Sequence, residues 1–491
     1  MAVRRILPPR AASRRAAPLA ILCAAAAASA SPRTDPTTGR AVFTGATMPH
    51  ATSIGLNPAA IGLGAFDEIY VAFAGVLDQV HVDLEKVDLS GAHTPGAKVR
   101  DVEPSPAAML AFIYHLAGEA VTLGFEARTA PRESFPEGRD ALRYHTLGGG
   151  QRDWLASVGA SIKVTGDLFF GASLSHQNSF LRLRYARDTA LDNGTGPSGV
   201  GSDCGGAPCG IENRLATELY DIDVRSPVFA TANLKVSVGA QYQISRDTWI
   251  GVGYHTPPGL SVQTELAGHV RVTRAPRDCT PDPTQTCIVE GDSVVEIQFP
   301  ASVDAELRAR LPKQLDLHLG GRWEDLSRFS AYDVRLYGST LPRNGIPEWT
   351  ERPRGMHDAF AVWAGLEQVD TGKKPRTYGA RIGYETSSVP DARTSPVTIA
   401  PASFTLDVGA QWRTQSHFIL QLSYGAQFFP SVNARDSAFD PLARIACLDS
   451  ETDYTTPACR SVRNGYAIPS AAGDYERIQH AVRFGLRYEF Q

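Results

Sequence analysis

The alternation of apolar and polar residues is clearest at the end of the chain. Every second residue there is apolar, in the order Val482, Phe484, Leu486, Tyr488 and Phe490. The residues between them are small or charged. A period of two predicts a β-strand with one apolar and one polar face. The same pattern recurs through the chain with small or polar residues on the opposite face, which is typical of a transmembrane β-barrel.

The segments that connect these strands alternate between short and long. The short connections, which contain turn residues, lie at 165–166, 245–246, 311–313, 370–374 and 414–416. The long connections that follow them lie at about 188–212, 270–292, 336–356, 388–402 and 431–474. Barrels of the bacterial outer membrane have short periplasmic turns and longer outer loops, so this alternation predicts the orientation of every strand.

The strand count is about fourteen. Eleven strands are predicted from about residue 151 onward, and three more at about 68–84, 107–117 and 119–128, with a short turn near Gly118. An even number places both chain ends on the periplasmic side. Residues 129–150 leave two interpretations open, because 142–145 fits a short strand or part of an outer loop.

The N-terminus has the features of a secretory signal peptide. Several arginines between Arg4 and Arg15 precede an apolar run at 16–28, and 28–30 offers small residues for cleavage. We therefore predict a signal peptide at 1–30. The alternative is a single membrane anchor, but the run is shorter than the ~20 apolar residues of a spanning helix.

Six cysteines remain after cleavage, and they form three neighbouring pairs. These pairs are Cys204 with Cys209, Cys279 with Cys287, and Cys447 with Cys459. An even number of cysteines in an exported protein favours disulfides, and each pair lies alone in a long connection. We predict three local disulfides. Metal binding is the alternative, but no Cys-x-x-Cys motif or suitably spaced histidine accompanies the pairs.

Composition excludes several other classes of protein. The formal net charge is −4 over 491 residues, so no basic surface for nucleic acid is expected. Beyond the signal peptide no apolar run reaches ~18 residues, which excludes a helical membrane protein. No nucleotide-binding motif is present, and we predict no cofactor and no metal site.

Several motifs in order resemble one family. Thr38–Ala41, followed by the stretch at 52–60 that ends in Asn57, Pro58, Ala59 and Ala60, looks like the N-terminal hatch of outer-membrane transporters of long-chain fatty acids and hydrocarbons. Three later stretches resemble strands of that family. They are Trp249–Pro257, Phe299–Ala301 with Arg322–Phe329, and Tyr378–Glu385 with Val389 and Pro390.

Two residues depart from the family pattern. Leu326 stands where a second tryptophan is usual, which affects the lining of the lumen. Gln491 follows the terminal aromatic Phe490, which weakens the usual signal for the barrel assembly machinery.

The resemblance implies an all-β, transmembrane antiparallel barrel at 67–491 with a small N-terminal plug at 31–66. It also implies passive uptake of hydrophobic molecules, with release through a gap beside a kinked third strand. In this chain Gly124 is the candidate for that kink, although close packing inside the barrel explains a glycine equally well. Asn57-Pro58 also has an ordinary alternative, because this dipeptide often begins a turn.

Two other functions are alternatives to transport. An enzyme embedded in a barrel would need cooperating side chains, but alternation places Ser175 and His176 on opposite faces of a strand. We therefore predict no catalytic residues. A structural or adhesive barrel would suit long disulfide-closed loops, and the plug-like N-terminus argues against it. The predicted partners are a hydrophobic small molecule, outer-membrane lipid and the assembly machinery.

Overall fold

The computed structural model describes most of the chain from residue 41 onward. The described residues are 41–87, 93–116, 120–129, 131–188, 217–228, 230–261, 263–276, 279, 287–329, 331–370, 375–414, 417–435, 437–439, 468 and 470–490. The predicted signal peptide and two of the cysteine pairs, Cys204 with Cys209 and Cys447 with Cys459, lie outside these residues.

Twenty β-segments form a single closed, antiparallel barrel of fourteen strands, as predicted. The segments are β1 Asp67–Val87, β2 His93–Leu116, β3 Val121–Thr129, β4 Glu133–Phe135, β5 Gly149–Lys163, β6 Leu168–Asp188, β7 Thr217–Arg225, β8 Leu234–Ser245, β9 Thr248–His255, β10 Thr264–Thr273, β11 Ile288–Ile297, β12 Ser302–Leu311, β13 Leu315–Glu324, β14 Ala331–Tyr337, β15 Trp349–Pro353, β16 Ala359–Asp370, β17 Arg376–Glu385, β18 Ser403–Arg413, β19 Phe418–Ala434 and β20 Gly473–Phe490.

Six barrel strands consist of two segments each, namely β3/β4, β7/β8, β9/β10, β11/β12, β13/β14 and β15/β16. The last strand pairs with the first, from Asp67 opposite Phe490 to Leu84 opposite Gly473, which closes the barrel. Each strand then has a neighbour on both sides over the membrane-spanning height, so the backbone hydrogen bonds are made within the barrel, as lipid requires. The exception is β2, which has no partner on the β3 side from His93 to Ala107.

Helical structure is limited to single turns. A short α-helix spans Thr340–Arg343, and 3₁₀ turns span Ala51–Ser53, Ala60–Leu63, Asp140–Tyr144, Thr231–Asn233, Pro258–Ser261, Pro312–Gln314, Leu326–Arg328 and Asp391–Arg393. In the described part of the chain no helix has the length and apolarity needed to cross a membrane.

The second strand is longer than the sequence predicted. The expectation was about 107–117, but β2 begins at His93. The added stretch contains prolines at 95, 104 and 106, a residue type that is uncommon inside a sheet. They are tolerated because β2 pairs with β1 over this stretch, while its pairing with β3 ends at Ala108. A proline that directs its missing N–H to an unpaired edge removes no ladder hydrogen bond.

The open question at 129–150 is also answered. β4 is a three-residue segment that pairs with β5, and the residues that follow form the 3₁₀ turn Asp140–Tyr144. The stretch 142–145 therefore belongs to an outer loop and is not a strand.

Candidate functional site

The barrel interior has two parts with opposite chemistry, and β6 shows both. Along its inward face Ser175, Gln177 and Ser179 are followed by Leu181 and Leu183, all of them buried. Along its outward face Phe170, Ala172, Leu174 and Phe180 are apolar, with His176 and Asn178 as polar exceptions, and Arg182 and Arg184 follow. The half near the short turns, which we call the membrane half, is thus apolar outside and polar inside. The half near the long loops, the outer half, is polar outside and apolar inside.

The N-terminal segment 41–66, which we call the luminal segment, fills the interior of the membrane half. Its apolar side chains are almost completely buried, including Phe43, Ile54, Leu56 and Ile61. Ile54 and Ile61 pack with inward side chains of β1 and β2 such as Ile113. The segment thus occupies interior space that a barrel of this width would otherwise leave open.

Asn57 lies at the centre of the luminal segment and is fully buried. Its Nδ2 donates hydrogen bonds to the carbonyl oxygens of Ala46 at 2.7 Å and of Ala240 on β8 at 3.1 Å. Its Oδ1 accepts a hydrogen bond from the backbone N–H of Ala59 at 3.1 Å. Asn57 therefore joins two turns of the luminal segment to each other and to the wall. The carbonyl oxygen of Ala59 in turn accepts a hydrogen bond from Ser161 on β5.

Glycines in the wall allow this close approach. A Cβ on Gly171 of β6 would overlap the backbone of Pro58 and Ala59, and a Cβ on Gly239 of β8 would overlap the side chain of Asn57. The other inward glycines whose Cβ would press on the luminal segment are Gly124, Gly251, Gly253, Gly379 and Gly409. The wall is thus built to the shape of the luminal segment, because any larger residue at these positions would displace it.

Carboxylates on the wall hold the backbone of the luminal segment. Glu367 of β16 accepts a hydrogen bond from the N–H of Phe43 at 3.0 Å, and Glu68 of β1 accepts one from Ala51 at 3.2 Å. Glu306 of β12 accepts a hydrogen bond from the hydroxyl of Thr47.

Cationic and neutral groups on the wall hold the carbonyl oxygens of the same segment. Arg381 of β17 donates to Thr44 O at 2.8 Å, and Nε2 of His255 on β9 lies 2.9 Å from Leu56 O. Buried charges of this kind are tolerated only when they are paired. Consistently, His318 lies 3.3 Å from Glu306, and Arg483 forms an ion pair with Asp407.

Gly124 lies on the inward face of β3, where its nearest neighbours are the side chains of Ile54 and Ile61. The pairing of β3 is continuous through this residue, with Ile113 on one side and Gly159 on the other. The discontinuity in this barrel strand lies further along, between Thr129 and Glu133. A gap in the wall beside the luminal segment therefore stays a prediction, and the ladder is not interrupted at Gly124 itself.

Ser175 and His176 do lie on opposite faces of β6. The hydroxyl of Ser175 donates to Ser157 inside the barrel at 2.8 Å, whereas His176 is on the outward face and contacts Asn178 and Trp154. The two side chains cannot act together. Cys279 and Cys287 form one of the three predicted disulfides, with their Cα atoms 5.4 Å apart.

The interior of the outer half, which we call the chamber, is occupied by a packed cluster of apolar side chains. Its lining comes from the inward faces of β6, β7, β10, β11 and β14, and includes Leu183, Tyr185, Tyr220, Ile222, Val270, Val295, Tyr332 and Leu336. The loop at 386–402 folds inward against it and contributes Val397. Because both surfaces of this half face away from lipid, its apolar side chains pack in the interior, as in a soluble barrel.

Two arginines from β15 and its end contact this chamber, Arg354 buried and Arg352 partly buried. Arg354 forms an ion pair with Glu133 of β4 at 2.6 Å, donates to the hydroxyl of Tyr332, and lies 4.6 Å from the ring centre of Phe329. Burial raises the pKa of Tyr332 well above its usual range, so its hydroxyl stays protonated at neutral pH. The pair joins the third and tenth barrel strands, which lie on different sides of the lumen.

Arg352 is different from Arg354 because no carboxylate contacts it among the described residues. Its guanidinium donates to the carbonyl oxygens of Tyr144 at 2.9 Å and His145 at 2.8 Å, and lies 4.1 Å from the ring centre of Tyr185. Burial lowers the pKa of this guanidinium, which nevertheless remains charged at any physiological pH. It is therefore a partly buried cation whose charge no described side chain balances.

Three cavities lie next to one another in this region. Two small ones share Arg354 and Val397, and the second shares Val80, Phe429 and Arg477 with a cavity of about 450 Å³ beside β1, β2, β19 and β20. The two small cavities, of about 20 and 30 Å³, are lined mainly by apolar side chains, whereas seven of the twelve residues around the larger cavity are polar or charged. The sequence analysis missed the arginines, because nothing in the strand pattern distinguishes Arg352 and Arg354 from surface residues.

Comparison with known proteins places the chain in a family. The family model described as outer membrane protein transport protein (OMPP1/FadL/TodX) matches residues 16–446. The chain belongs to this family. It is an outer-membrane transport protein, which confirms the predicted family and localisation and is consistent with passive uptake of hydrophobic molecules.

Solved structures show the same fold at low sequence identity. A FadL homologue from Pseudomonas aeruginosa is 13% identical with a TM-score of 0.70, covering 92% of this chain and 98% of that one. The toluene transporter TodX from Pseudomonas putida is 12% identical with a TM-score of 0.59, covering 93% and 96%. The toluene transporter TbuX from Ralstonia pickettii is 14% identical with a TM-score of 0.56, covering 94% and 97%. No curated protein matches the chain.

Proposed function

We propose that this family member captures hydrophobic molecules in the chamber of the outer half and passes them into the membrane half without an energy source. The observation that carries the proposal is the inverted interior. A hydrophobic solute binds more favourably in an apolar chamber than it dissolves in water. To go further along the barrel, it must pass the luminal segment in the polar interior of the membrane half. Two solved structures of this fold are toluene transporters, which supports a hydrophobic substrate.

We further propose that the preferred substrate carries an acidic group. Arg352 lies beside the apolar lining without a described carboxylate partner, and a substrate carboxylate would supply the missing negative charge. A charge-assisted hydrogen bond of this kind contributes about 1.5–3 kcal/mol. Neutral hydrocarbons would occupy the same apolar surface without this contribution and would bind more weakly.

The plug role of the luminal segment is the second step of the proposal. We assign residues 31–66 as the plug, with Asn57, Pro58, Ala59 and Ala60 as the motif that fixes its position against the wall. The motif contacts the luminal segment itself and also β5, β6, β8 and β9. Release of these contacts would open a path at the side of the segment that does not need the segment to leave the barrel.

The predicted lateral gap belongs beside β3. We propose that it forms near Gly124 when Ile54 and Ile61 move away, since these side chains press on β3 where it has no side chain of its own. The strand is short, and its pairing is interrupted beyond Thr129. Both features lower the cost of separating it from a neighbour.

Assembly and lipid contact complete the proposal. We propose that β20, which ends in the outward aromatic Phe490, is recognised by the barrel assembly machinery, and that the apolar outward band contacts outer-membrane lipid. The aromatic stack of Phe112, Tyr488 and Phe490 lies at the end of this band near the short turns. Aromatic residues are typical of such membrane boundaries.

The test compares dodecanoate with dodecanol in lipid vesicles that contain the purified protein. The parent should take up both, with tighter binding of dodecanoate. Arg352→Gln should weaken dodecanoate binding about tenfold and leave dodecanol unchanged. The matched control is Arg335→Gln, which removes an exposed arginine on the outward face of β14.

Two results would contradict the proposal. Equal loss for both ligands in Arg352→Gln would mean that this arginine only supports the chamber. Failure of the parent to take up any lipophile would favour the structural or adhesive barrel, whose long loops would then carry the function.

A further inference from the structure

Two unpaired arginines lie at the level where the outward surface changes from apolar to charged. Arg152 of β5 and Arg225 of β7 are both opposite Phe180 of β6, one strand to either side. All three side chains are on the outward face, and Phe180 is 38% exposed. Neighbouring strands are ~4.8 Å apart, so the two arginines are about 10 Å apart across the aromatic ring.

Neither arginine has an ion-pair partner among the described residues. The next arginine along β6, Arg182, is held by both carboxylate oxygens of Asp221, at 3.0 and 2.7 Å. Asp223 and Glu265 lie on the outward face near Arg225 but form no ion pair with it. Arg152 and Arg225 are thus the cations that remain available at this height.

A protrusion lies directly beside these arginines. Eight residues, 226–233, join β7 to β8. Only three residues of β6, 177–179, lie opposite them, because Arg225 pairs with Phe180 and Leu234 pairs with His176. Residues 256–263 likewise exceed the four residues 298–301 that face them. The surplus residues form the two contacting 3₁₀ turns Thr231–Asn233 and Pro258–Ser261.

The protrusion directs apolar side chains away from the barrel. Val228 is 67% exposed and Leu260 is 59% exposed. Leu260 has a φ of 58°, which is uncommon for a leucine, so the backbone accepts an unfavourable conformation while presenting this side chain outward. Below the protrusion the outward residues are apolar, such as Val238 and Tyr254, and above it they are charged, such as Asp223 and His269.

We propose that Arg152, Arg225, Phe180 and the protrusion with Val228 and Leu260 bind a phosphate-bearing lipid of the outer leaflet. The arginines contact the phosphate, and the apolar residues contact the acyl chains directly below. Arginine suits this role because its planar guanidinium bonds two phosphate oxygens at once. The inference rests on the outer-membrane location and is independent of transport.

The test uses purified full-length protein, in detergent, titrated with lipid A that carries its phosphates and with the same lipid dephosphorylated. Arg152→Gln/Arg225→Gln should bind the phosphorylated lipid about thirtyfold more weakly than the parent, since each of the two arginines near a lipid headgroup contributes roughly 1 kcal/mol. The matched control is Arg246→Gln/Lys313→Gln, which removes the same charge from exposed short turns at the other end of the barrel and should bind like the parent.

Two further measurements separate the lipid from free phosphate. Inorganic phosphate at millimolar concentration should not displace the lipid from the parent. Val228→Ser/Leu260→Asn should weaken both lipids by a similar factor, because it removes only the acyl contact.

The proposal is overturned if the double arginine variant binds phosphorylated lipid like the parent, or if the parent does not distinguish the two lipids. Displacement by inorganic phosphate alone would also overturn it, since the site would then recognise a free anion. Heat-modifiable migration on gels checks that each variant forms the barrel.

Discussion

The membrane half and the outer half of this barrel are built from the same strands with opposite rules. In the membrane half lipid surrounds the wall, so apolar side chains face outward and the polar interior is filled by the luminal segment. In the outer half water surrounds the wall, so the apolar side chains face inward and pack on each other. β6 passes from one arrangement to the other without a break, between Ser179 and Leu181. Polarity along a barrel strand is therefore set by the medium at each height and not by the strand alone.

Several strands are interrupted at the level where the two halves meet, and the interruption changes which residues face inward. In β7/β8, β9/β10 and β11/β12 the inward positions have opposite parity before and after the irregular residues. Val224 and Ser237 both face inward, although one has an even and the other an odd number. At the membrane boundary the inserted residues thus change the inward positions from even to odd numbers, or the reverse. Two of these insertions also form the protrusion that we assign to lipid binding.

The most severe change should be a charge in the outer chamber. Leu181→Asp loses a fully buried apolar side chain and buries a carboxylate without a partner, which should lower the free energy of unfolding by about 4 kcal/mol. Urea unfolding followed by tryptophan fluorescence measures it. Ser175→Ala, on the same face in the membrane half, should cost about 1 kcal/mol, because it removes one hydrogen bond. Equal costs for the two variants would remove the distinction between the halves.

A side chain at Gly171 should displace the luminal segment. Gly171→Val places atoms where the backbone of Pro58 and Ala59 lies, so the segment must move while the strands stay paired. We expect a clear rise in conductance to small ions in planar bilayers. Gly75→Val is the matched control, since a Cβ at this outward glycine meets nothing within 4 Å. Unchanged conductance in Gly171→Val would mean that the segment does not close the barrel.

Loss of the Asn57 side chain should loosen the same segment by less. Asn57→Ala leaves the N–H of Ala59 and the carbonyl oxygens of Ala46 and Ala240 without this partner, at a cost of about 1–3 kcal/mol. The barrel should assemble normally, while uptake of a hydrophobic substrate changes. Thr52→Ala is the matched control, because the buried hydroxyl of Thr52 has no hydrogen-bond partner. Identical uptake by Asn57→Ala and the parent would rule out a gating role for this motif.

The smallest effect on the barrel is expected from loss of the Cys279–Cys287 disulfide, because its cost stays within one outer loop. Cys279→Ser/Cys287→Ser opens a loop with a sequence separation of 8 residues, which should cost about 2–3 kcal/mol locally. The barrel should unfold at the same urea concentration as the parent, and only cleavage by added protease near 274–287 should increase. A large loss of barrel stability would show that this loop supports the outer half.

The sequence predicted the wall well and the interior poorly. Alternation over residues such as Val482 to Phe490 predicted which segments are strands, which side chains face outward and on which side of the membrane each connection lies. It could do so because each outward side chain matches the lipid or water that it contacts. The sequence did not predict the proline-containing part of β2. Only the pairing of β2 with β1 and β3 shows that one edge of this stretch has no neighbouring strand. Asn57 was recognised as a motif, but its bonds to Ala46, Ala59 and Ala240 join residues that no local pattern connects. Arg352 and Glu133 gave no signal for a related reason, since their surroundings come from strands on different sides of the barrel.

What the sequence by itself determined is the part of the protein that obeys a period of two. Contact with lipid favours apolar outward side chains and contact with water favours polar ones. This preference recurs at every second residue, so a short stretch of sequence is enough to show it. Tertiary structure alone decided which inward residues meet. The fit of Gly171 to Pro58, the hydrogen bond from Phe43 to Glu367 and the chamber around Tyr332 depend on closing fourteen strands into one ring. Ring closure brings together residues hundreds of positions apart, and their contacts carry no period along the sequence.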